Sequence, residues 1–219
     1  HGQCFYRLPI LKRAKRKISA AVVSVGTLIF TQYNKMTQKY RDKMNDMKLE
    51  RYKQETERLS FKRSENTAKV FGELWKVLYE TKADRVYIVQ PHPLGNAAFL
   101  SIYFEVKRKG VSGMKDNVQR LPMSEMAVFS RGLAENLFLC YTDIDSQVKD
   151  KMAKSLFITN GCRAVAIKRL NSASDWVGNI FCEFTDEMLV SEEQIHKVLH
   201  DAAVNIQFIL PEYRENPYK

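Results

Sequence analysis

A stretch of 17 residues without a single charge, from Ile18 to Asn34, is the feature that most limits how this chain can fold. Its length is at the short end of the ~17–25 residues that a membrane-spanning helix needs. We therefore predict an apolar anchor helix over residues 18–34 that spans the lipid bilayer. The predicted anchor side chains are Ile18, Val22, Val23, Val25, Leu28, Ile29 and Phe30.

A basic run directly precedes the apolar stretch and suits the headgroups of anionic phospholipid. This predicted basic flank consists of Lys12, Arg13, Lys15, Arg16 and Lys17. Two other interpretations stay open, a signal-peptide core and a soluble or interfacial helix, although no small-x-small cleavage site follows. The orientation is also open, because six Lys/Arg precede the stretch and seven lie between Asn34 and Lys53.

The excess positive charge is confined to the first 82 residues, which hold 19 Lys/Arg against 8 Asp/Glu. Such a basic half indicates an anionic partner, either phospholipid or nucleic acid. Acidic residues are interleaved with the basic ones at three- and four-residue steps, a pattern typical of a salt-bridged solvated helix. The sequence therefore favours the bilayer and argues against nucleic acid.

Residues 34–81 contain no proline and one glycine, and good helix formers dominate, so we predict one long helix. A narrow apolar stripe runs along its first part through Met36, Tyr40, Met44 and Met47. The pattern favours a solvated stalk or a weak oligomer seam, with a second copy of the chain as the partner.

The rest of the chain alternates paired β-rich runs with helical segments. The predicted strands include Arg85–Gln90 with Phe99–Lys107, and Cys162–Lys168 with Val177–Phe184, each pair forming a hairpin. Ser191 is the predicted cap of a final helix. This order indicates an α+β fold with an antiparallel sheet flanked by helices.

Four segments follow from these patterns. They are a basic head over residues 1–17, an anchor helix over 18–34, a charged helical stalk over 35–65, and an α+β domain over 66–219.

Candidate catalytic and metal-binding residues are few. His196 and His200 share a helix face, but Lys197 stands where the zinc-binding HExxH motif needs glutamate. His92 lies between two prolines at the end of a predicted strand, with no nucleophile at a known spacing. Nucleotide-binding and hydrolase motifs are absent from the sequence, so we predict no enzyme, no cofactor and no metal site.

Two acidic residues, Asp143 and Asp145, with Asp150 beyond them, lack the spacing of a calcium loop, and helix capping by Asp145 or Ser146 explains them. The four cysteines show no metal-ligand spacing, and three lie in or beside apolar runs, as buried thiols do.

From about Asn66 to Leu210, the order of elements resembles a GAF-type domain. The matching segments are a helix that leads into Val86–Val89 and Leu100–Val106, followed by Arg163–Lys168, Gly178–Phe184 and a last helix. The resemblance implies a domain that binds a small ligand or serves as a dimerising partner module in signalling.

Over almost its full length, the chain also resembles the holin family of T-even phages. The shared features are Tyr52-Lys53-Gln54, Thr81–Asp84 before the first strand, and Val177-Gly178 before the last strand. The apolar span is shorter and less apolar here, and residues 112–159 do not align.

The holin resemblance implies a single-span protein of the host inner membrane that oligomerises and permeabilises the membrane at lysis. Its C-terminal domain would face the periplasm and bind a regulatory partner. The alternatives are a membrane-tethered GAF-like sensory or partner-binding module, and a structural assembly protein with an internal apolar helix.

Overall fold

The structure of the chain, a computed structural model, describes residues 8–173 and 175–213, with side chains from Val22 onwards. The chain divides into two compact units, His1–Ser60 and Phe61–Lys219. The helices are α1 (Leu8–Thr81), α2 (Ala127–Glu135), α3 (Ile144–Gln147), α4 (Lys151–Thr159) and α5 (Glu192–Ile206), with a 3-10 turn at Met123–Met126. The strands are β1 (Arg85–His92), β2 (Phe99–Lys107), β3 (Leu121–Pro122), β4 (Phe138–Tyr141), β5 (Ala164–Ser172) and β6 (Asp175–Phe184).

The first unit contains most of α1, which confirms the long helix predicted over residues 34–81 and extends it toward the N-terminus. The spanning helix predicted over residues 18–34 is not supported, since no helix in the described part of the chain is both long enough and apolar enough to cross a membrane. The charge-free stretch is short, and it ends on the polar residues Thr31 and Gln32, then Tyr33 and Asn34.

The predicted anchor residues from Val22 to Phe30 keep their side chains exposed. The side chains of Ile18 and of the basic flank lie outside those that the structure describes. The division of the first 65 residues into head, anchor and stalk stays a prediction.

The second unit is built on a six-stranded antiparallel sheet in the order β3-β2-β1-β6-β5-β4. Both predicted hairpins are present, and the α+β prediction is confirmed. All eight residues of β1 are buried, because this strand lies between β2 and β6 and is covered on both faces. The pairing of β1 with β6 places Val86 opposite Cys182, although the first lies near the start of the domain's sequence and the second near its end.

One face of the sheet is covered by the last turns of α1 and by α5. The residues of α1 that pack here are Val70, Leu74, Val77 and Leu78, and those of α5 are Ile195, Leu199, Ala202, Ala203 and Ile206. Ser191 caps α5 as predicted, since its hydroxyl accepts the backbone N–H of Gln194 at 3.4 Å. The apolar spacing of Ile195, Val198, Leu199, Ala202 and Ile206 predicts the inward face of this helix. All of them are buried except Val198, which is partly buried and packs against the same core.

The opposite face is covered by the connection between β2 and α2, and by α2, α3 and α4. The spacing of Val148, Met152 and Leu156 predicts one helix over residues 147–157, but the chain forms α3 and α4 instead. Asp150 explains the break, because its carboxylate accepts the backbone N–H groups of Met152 and Ala153 at 3.1 and 3.2 Å and so begins a new helix.

Candidate functional site

A small apolar chamber lies between the sheet and the layer opposite α1 and α5. Strands β1, β2 and β6 form its floor, and the connection from β2 to α2, together with α2 and α4, forms its roof. Its volume is about 20 Å³, which is room for about one water molecule. The lining residues are Tyr87, Val89, Leu100, Met114, Val118, Met126, Phe129, Leu133, Ala153, Leu156, Phe157 and Phe181.

Hydrogen bonds fix the roof to the edge of the sheet. The backbone N–H of Ile102 in β2 donates to the carbonyl of Val118 at 2.9 Å. The side-chain amide of Gln119 donates to the carbonyl of Ile102 at 2.7 Å. Within the roof, the N–H of Val118 donates to the carbonyl of Met114 at 3.1 Å. These bonds hold Met114 and Val118 over the floor.

Four of the lining residues are aromatic: Tyr87, Phe129, Phe157 and Phe181. Tyr87 and Phe181 lie on neighbouring strands and stack with their ring centroids 5.0 Å apart. Phe129 of α2 meets Phe157 of α4 edge-on at 5.6 Å. The chamber could not be predicted from the sequence, because its walls come from segments far apart in the chain and because residues 113–122 show no regular pattern.

A buried ion pair adjoins the chamber through Tyr87, which lines the chamber and hydrogen-bonds to Glu183. The guanidinium of Arg85 donates to the carboxylate of Glu183, through Nε at 2.8 Å and through Nη2, and the Tyr87 hydroxyl donates to the other carboxylate oxygen. Arg85 also donates to the backbone carbonyls of Ser112 at 2.7 Å and Asn160 at 3.4 Å. The pair therefore ties two connections of the roof layer to the central strands.

The protonation states of this cluster follow from its burial. Desolvation by itself would lower the pKa of Arg85, but the Glu183 carboxylate outweighs it and raises that pKa. Desolvation, together with the Glu183 charge, raises the pKa of Tyr87 well above its ordinary value. Desolvation raises the pKa of Glu183 as well, against the attraction of Arg85 and the hydrogen bonds from Tyr87 and Arg85. Arg85 is therefore charged and Tyr87 is neutral, and together they hold the Glu183 carboxylate in a structural clamp.

His92 lies at the end of β1, as predicted, and its side chain is buried. Its Nε2 atom is 2.8 Å from the hydroxyl oxygen of Ser101, and its ring stacks on Phe99 and on Tyr213 with centroids 5.8 and 4.5 Å apart. The Ser101 hydroxyl also accepts the backbone N–H of Arg120 at 2.8 Å. Sequence reasoning missed this serine, although the hairpin register that pairs His92 with Phe99 brings it close.

His196 and His200 lie on the exposed side of α5, as their spacing predicted. The ring of His196 packs on Phe138 at 4.3 Å, and partial burial, aided by the charge of Lys168, lowers its pKa. Within residues 8–173 and 175–213, no group of three or more His, Cys, Asp or Glu side chains could hold a metal ion.

The acidic residues of the α3–α4 region have local structural roles. Asp143 occupies the cap position of α3, and its carboxylate accepts the Ser146 hydroxyl. Capping was predicted for Asp145 or Ser146, whereas Asp150, at the start of α4, makes the cap hydrogen bonds. A run of short helices in succession creates more caps than the single predicted helix required.

Cys140, Cys162 and Cys182 are free thiols, and the last two are buried. Desolvation raises the pKa of Cys140 to about 11 and that of Cys182 to about 12, and it also raises the pKa of Cys162. Cys4 lies outside the described residues. The prediction of small buried hydrophobes therefore holds for Cys162 and Cys182, while Cys140 is half-buried.

Comparison with known proteins shows the fold of the second unit. The chain is similar to the GAF domain of PixJ from Thermosynechococcus elongatus in its blue-light-absorbing form, with 15% identity, a TM-score of 0.55, and coverage of 68% of this chain and 86% of that one. It is also similar to a phycocyanobilin-bound GAF domain from a cyanobacterial phytochrome (14% identity, TM-score 0.52, 66% and 86% covered). A third similar structure is the chromophore-binding domain of an unusual bacteriophytochrome from R. palustris. Its identity is 15% and its TM-score 0.52, with coverage of 65% of this chain and 54% of that one.

These likenesses confirm the predicted GAF-like fold, and identities this low show the fold alone. No family model and no curated protein matches the chain. The resemblance to phage holins therefore has no support from these comparisons.

Proposed function

We propose that this chain is a non-catalytic, GAF-like partner-binding module, whose GAF-like domain recognises another protein through its outer surface. The observation that carries the proposal is the very small volume, about 20 Å³, of the chamber between the sheet and its roof. A GAF-like domain that encloses a small ligand needs internal space, and this one has filled that space with its own side chains.

The size of the chamber favours binding of a protein on the outer surface over binding of a small ligand inside the domain. Pockets for small molecules have volumes of roughly 300–1,000 Å³, whereas this chamber has about 20 Å³. One of the similar structures is bound to phycocyanobilin, a ligand for which this chamber has no room. Opening it would require the roof to break the hydrogen bonds of Val118 and Gln119 to Ile102.

The outer surface of the second unit carries side chains suited to protein contacts. Trp75 and Tyr79 lie one turn apart on α1, both exposed, with their rings stacked at 5.9 Å. Phe61 is also exposed on this helix. Trp and Tyr are the residue types that most often dominate protein–protein binding, so a protein partner that covers Trp75 and Tyr79 is the proposed mode of recognition.

Native mass spectrometry of the purified full chain tests the closed chamber. We expect the mass of the polypeptide alone, and no binding when benzene is added. The Met126→Ala variant should bind benzene, because removing this lining side chain leaves a dry apolar cavity. A stoichiometric small molecule on the wild-type chain, or benzene binding by it, would contradict the proposal.

Affinity purification from cells that naturally make the protein tests the outer surface. A partner should be enriched with the wild-type chain and with Glu80→Ala, and lost with the double variant Trp75→Ala, Tyr79→Ala. Glu80 is the matched control, since it is exposed and adjacent in sequence to Tyr79. Equal recovery with all three chains would count against the aromatic surface.

A holin-like function is the second candidate, and it is favoured by the six large apolar side chains exposed between Val22 and Phe30, preceded in sequence by the basic flank. Inducible expression in a Gram-negative host tests it by optical density and membrane potential. The intact chain and Tyr52→Arg should collapse the potential, and Val23→Arg should not. An unchanged potential with the intact chain would exclude this candidate.

A further inference from the structure

The exposed apolar side chains at the start of α1 follow one regular stripe. Counting from Val22 in steps of three, four and four residues, every position up to Met47 is apolar or aromatic. The helix is exposed along this stripe, apart from Met44, which is partly buried. The stripe consists of Val22, Val25, Ile29, Tyr33, Met36, Tyr40, Met44 and Met47.

These steps repeat every 11 residues, as the series Val22, Tyr33 and Met44 shows. An 11-residue repeat corresponds to about 3.67 residues per turn, which is close to the helix's own period. The stripe therefore stays on one side of α1 and would wind only slightly around a partner helix. A partner that follows it for its whole length must be a helix with the same period.

The stripe also continues past Asn34, where the charge-free stretch ends. Its second half, from Met36 to Met47, lies in a strongly charged part of the helix that contains Lys35, Lys39 and Asp42. A surface that faced only lipid would lose its apolar pattern there. The pattern instead keeps its phase, which is typical of a helix–helix seam.

We infer that this stripe is the seam along which α1 associates with α1 of a second copy of this chain. A second copy supplies a helix of the same period by identity. From Val22 to Met47 the seam is about 38 Å long at 1.5 Å per residue. Eight side chains that each bury on the order of 100 Å² give roughly 800 Å² per chain, the size of a standard specific interface.

Adjacent residues provide a sharp test of this seam. Ile29 lies on the stripe and Leu28 lies beside it, while their exposures are 65% and 66%. Sedimentation equilibrium of the full chain in a density-matched mild detergent should show self-association of the wild type. Ile29→Lys should weaken that association by at least about tenfold, because it places a charge in the seam, and Leu28→Lys by less than about twofold. Lysine is a good helix former, so neither replacement should disrupt α1 itself.

A second matched pair of residues tests the second half of the stripe, from Met36 to Met47. Tyr40 lies on the stripe and Tyr52 does not, with exposures of 68% and 70%, so Tyr40→Lys should weaken association and Tyr52→Lys should not. A monomeric wild type, or equal effects within either pair, would overturn the inference. Equal loss from Leu28→Lys and Ile29→Lys would indicate a lipid-facing surface instead.

The inference does not rest on either proposed function. Val23 lies off the stripe, so Val23→Arg should abolish a holin-like activity and leave self-association unchanged. Trp75 and Tyr79 lie in the other unit, so the variant that removes both side chains should also associate like the wild type.

Discussion

Replacing Glu183 by glutamine tests the buried ion pair between Arg85 and Glu183. Glu183 and Arg85 both have no exposed surface. Glutamine keeps the shape of the side chain but removes its charge, so the guanidinium of Arg85 remains buried without a counter-charge. Breaking a buried pair from one side costs about 3–5 kcal/mol, which is a large part of the ~5–15 kcal/mol that stabilises a typical domain.

The exposed pair between Arg163 and Asp186 is the matched control, with an N–O distance of 3.3 Å and both side chains largely in water. We expect Asp186→Asn to change the free energy of unfolding by no more than about 0.5 kcal/mol. Urea unfolding monitored by tryptophan fluorescence measures both variants, because Trp75 and Trp176 both belong to the second unit. A cost below about 1 kcal/mol for Glu183→Gln, or equal costs for the two variants, would refute the reasoning.

A double replacement measures the interaction between Arg85 and Glu183 apart from the contacts that each makes with other residues. Changing both Arg85 and Glu183 to leucine leaves no unpaired charge, so the double variant should cost less than the sum of the two single leucine variants. Additive costs would mean that the two side chains stabilise the domain independently, through Ser112 and Asn160 on one side and Tyr87 on the other.

Two further predictions concern the strands and the thiols. Gly178→Ala should destabilise the second unit by about 1–3 kcal/mol, because a Cβ atom there would lie 2.8 Å from the carbonyl oxygen of Val89, whereas Gly72→Ala has nothing within 4 Å and should stabilise α1 by about 1 kcal/mol in the same urea assay. The pKa values of Cys140 and Cys182 are raised to about 11 and about 12 from 9.0, so their stabilising effect is fully present below pH 9.0 and is lost as the pH rises through 11 and 12. Native Cys140 and Cys182 should accordingly resist iodoacetamide at about pH 8, and peptide mapping that found rapid labelling there would contradict their burial.

Local patterns predicted the elements of the second unit well. Phe99–Lys107 was predicted as a strand and is β2 with the same bounds, because β-branched and aromatic residues alternate with polar ones there. Ser191 predicted the start of α5 through its cap. Close spacing of apolar residues between Val70 and Leu78 likewise indicated that the end of α1 packs on the sheet. Each of these signals lies within a few consecutive residues.

Pairings between distant segments could not be predicted from the same patterns. Nothing local to β1 or β6 shows that Val86 lies opposite Cys182, yet this pairing places Arg85 next to Glu183 and forms the floor of the chamber. The hydrogen bond between His92 and Ser101 depends likewise on the register of a hairpin. The candidate site was therefore missed, although most of the elements around it were predicted.

A GAF-like fold can either enclose a ligand between the sheet and the helices that cover it or fill that space with its own side chains. In this chain Met114 and Met126 fill the space over Tyr87 and Phe181, and methionine adapts its shape to fill irregular gaps. A lining of that kind can be emptied by a single substitution, while the Arg85–Glu183 clamp on the same layer resists its opening. Loss of one core side chain should lower the free energy of unfolding in urea by about 2–5 kcal/mol. If Met126→Ala shows a loss of this size and binds benzene, then side-chain packing is what fills the chamber. If the variant instead collapses and binds nothing, the clamp and the hydrogen bonds of the roof do not hold the layer in place, and the chamber cannot carry the proposed function.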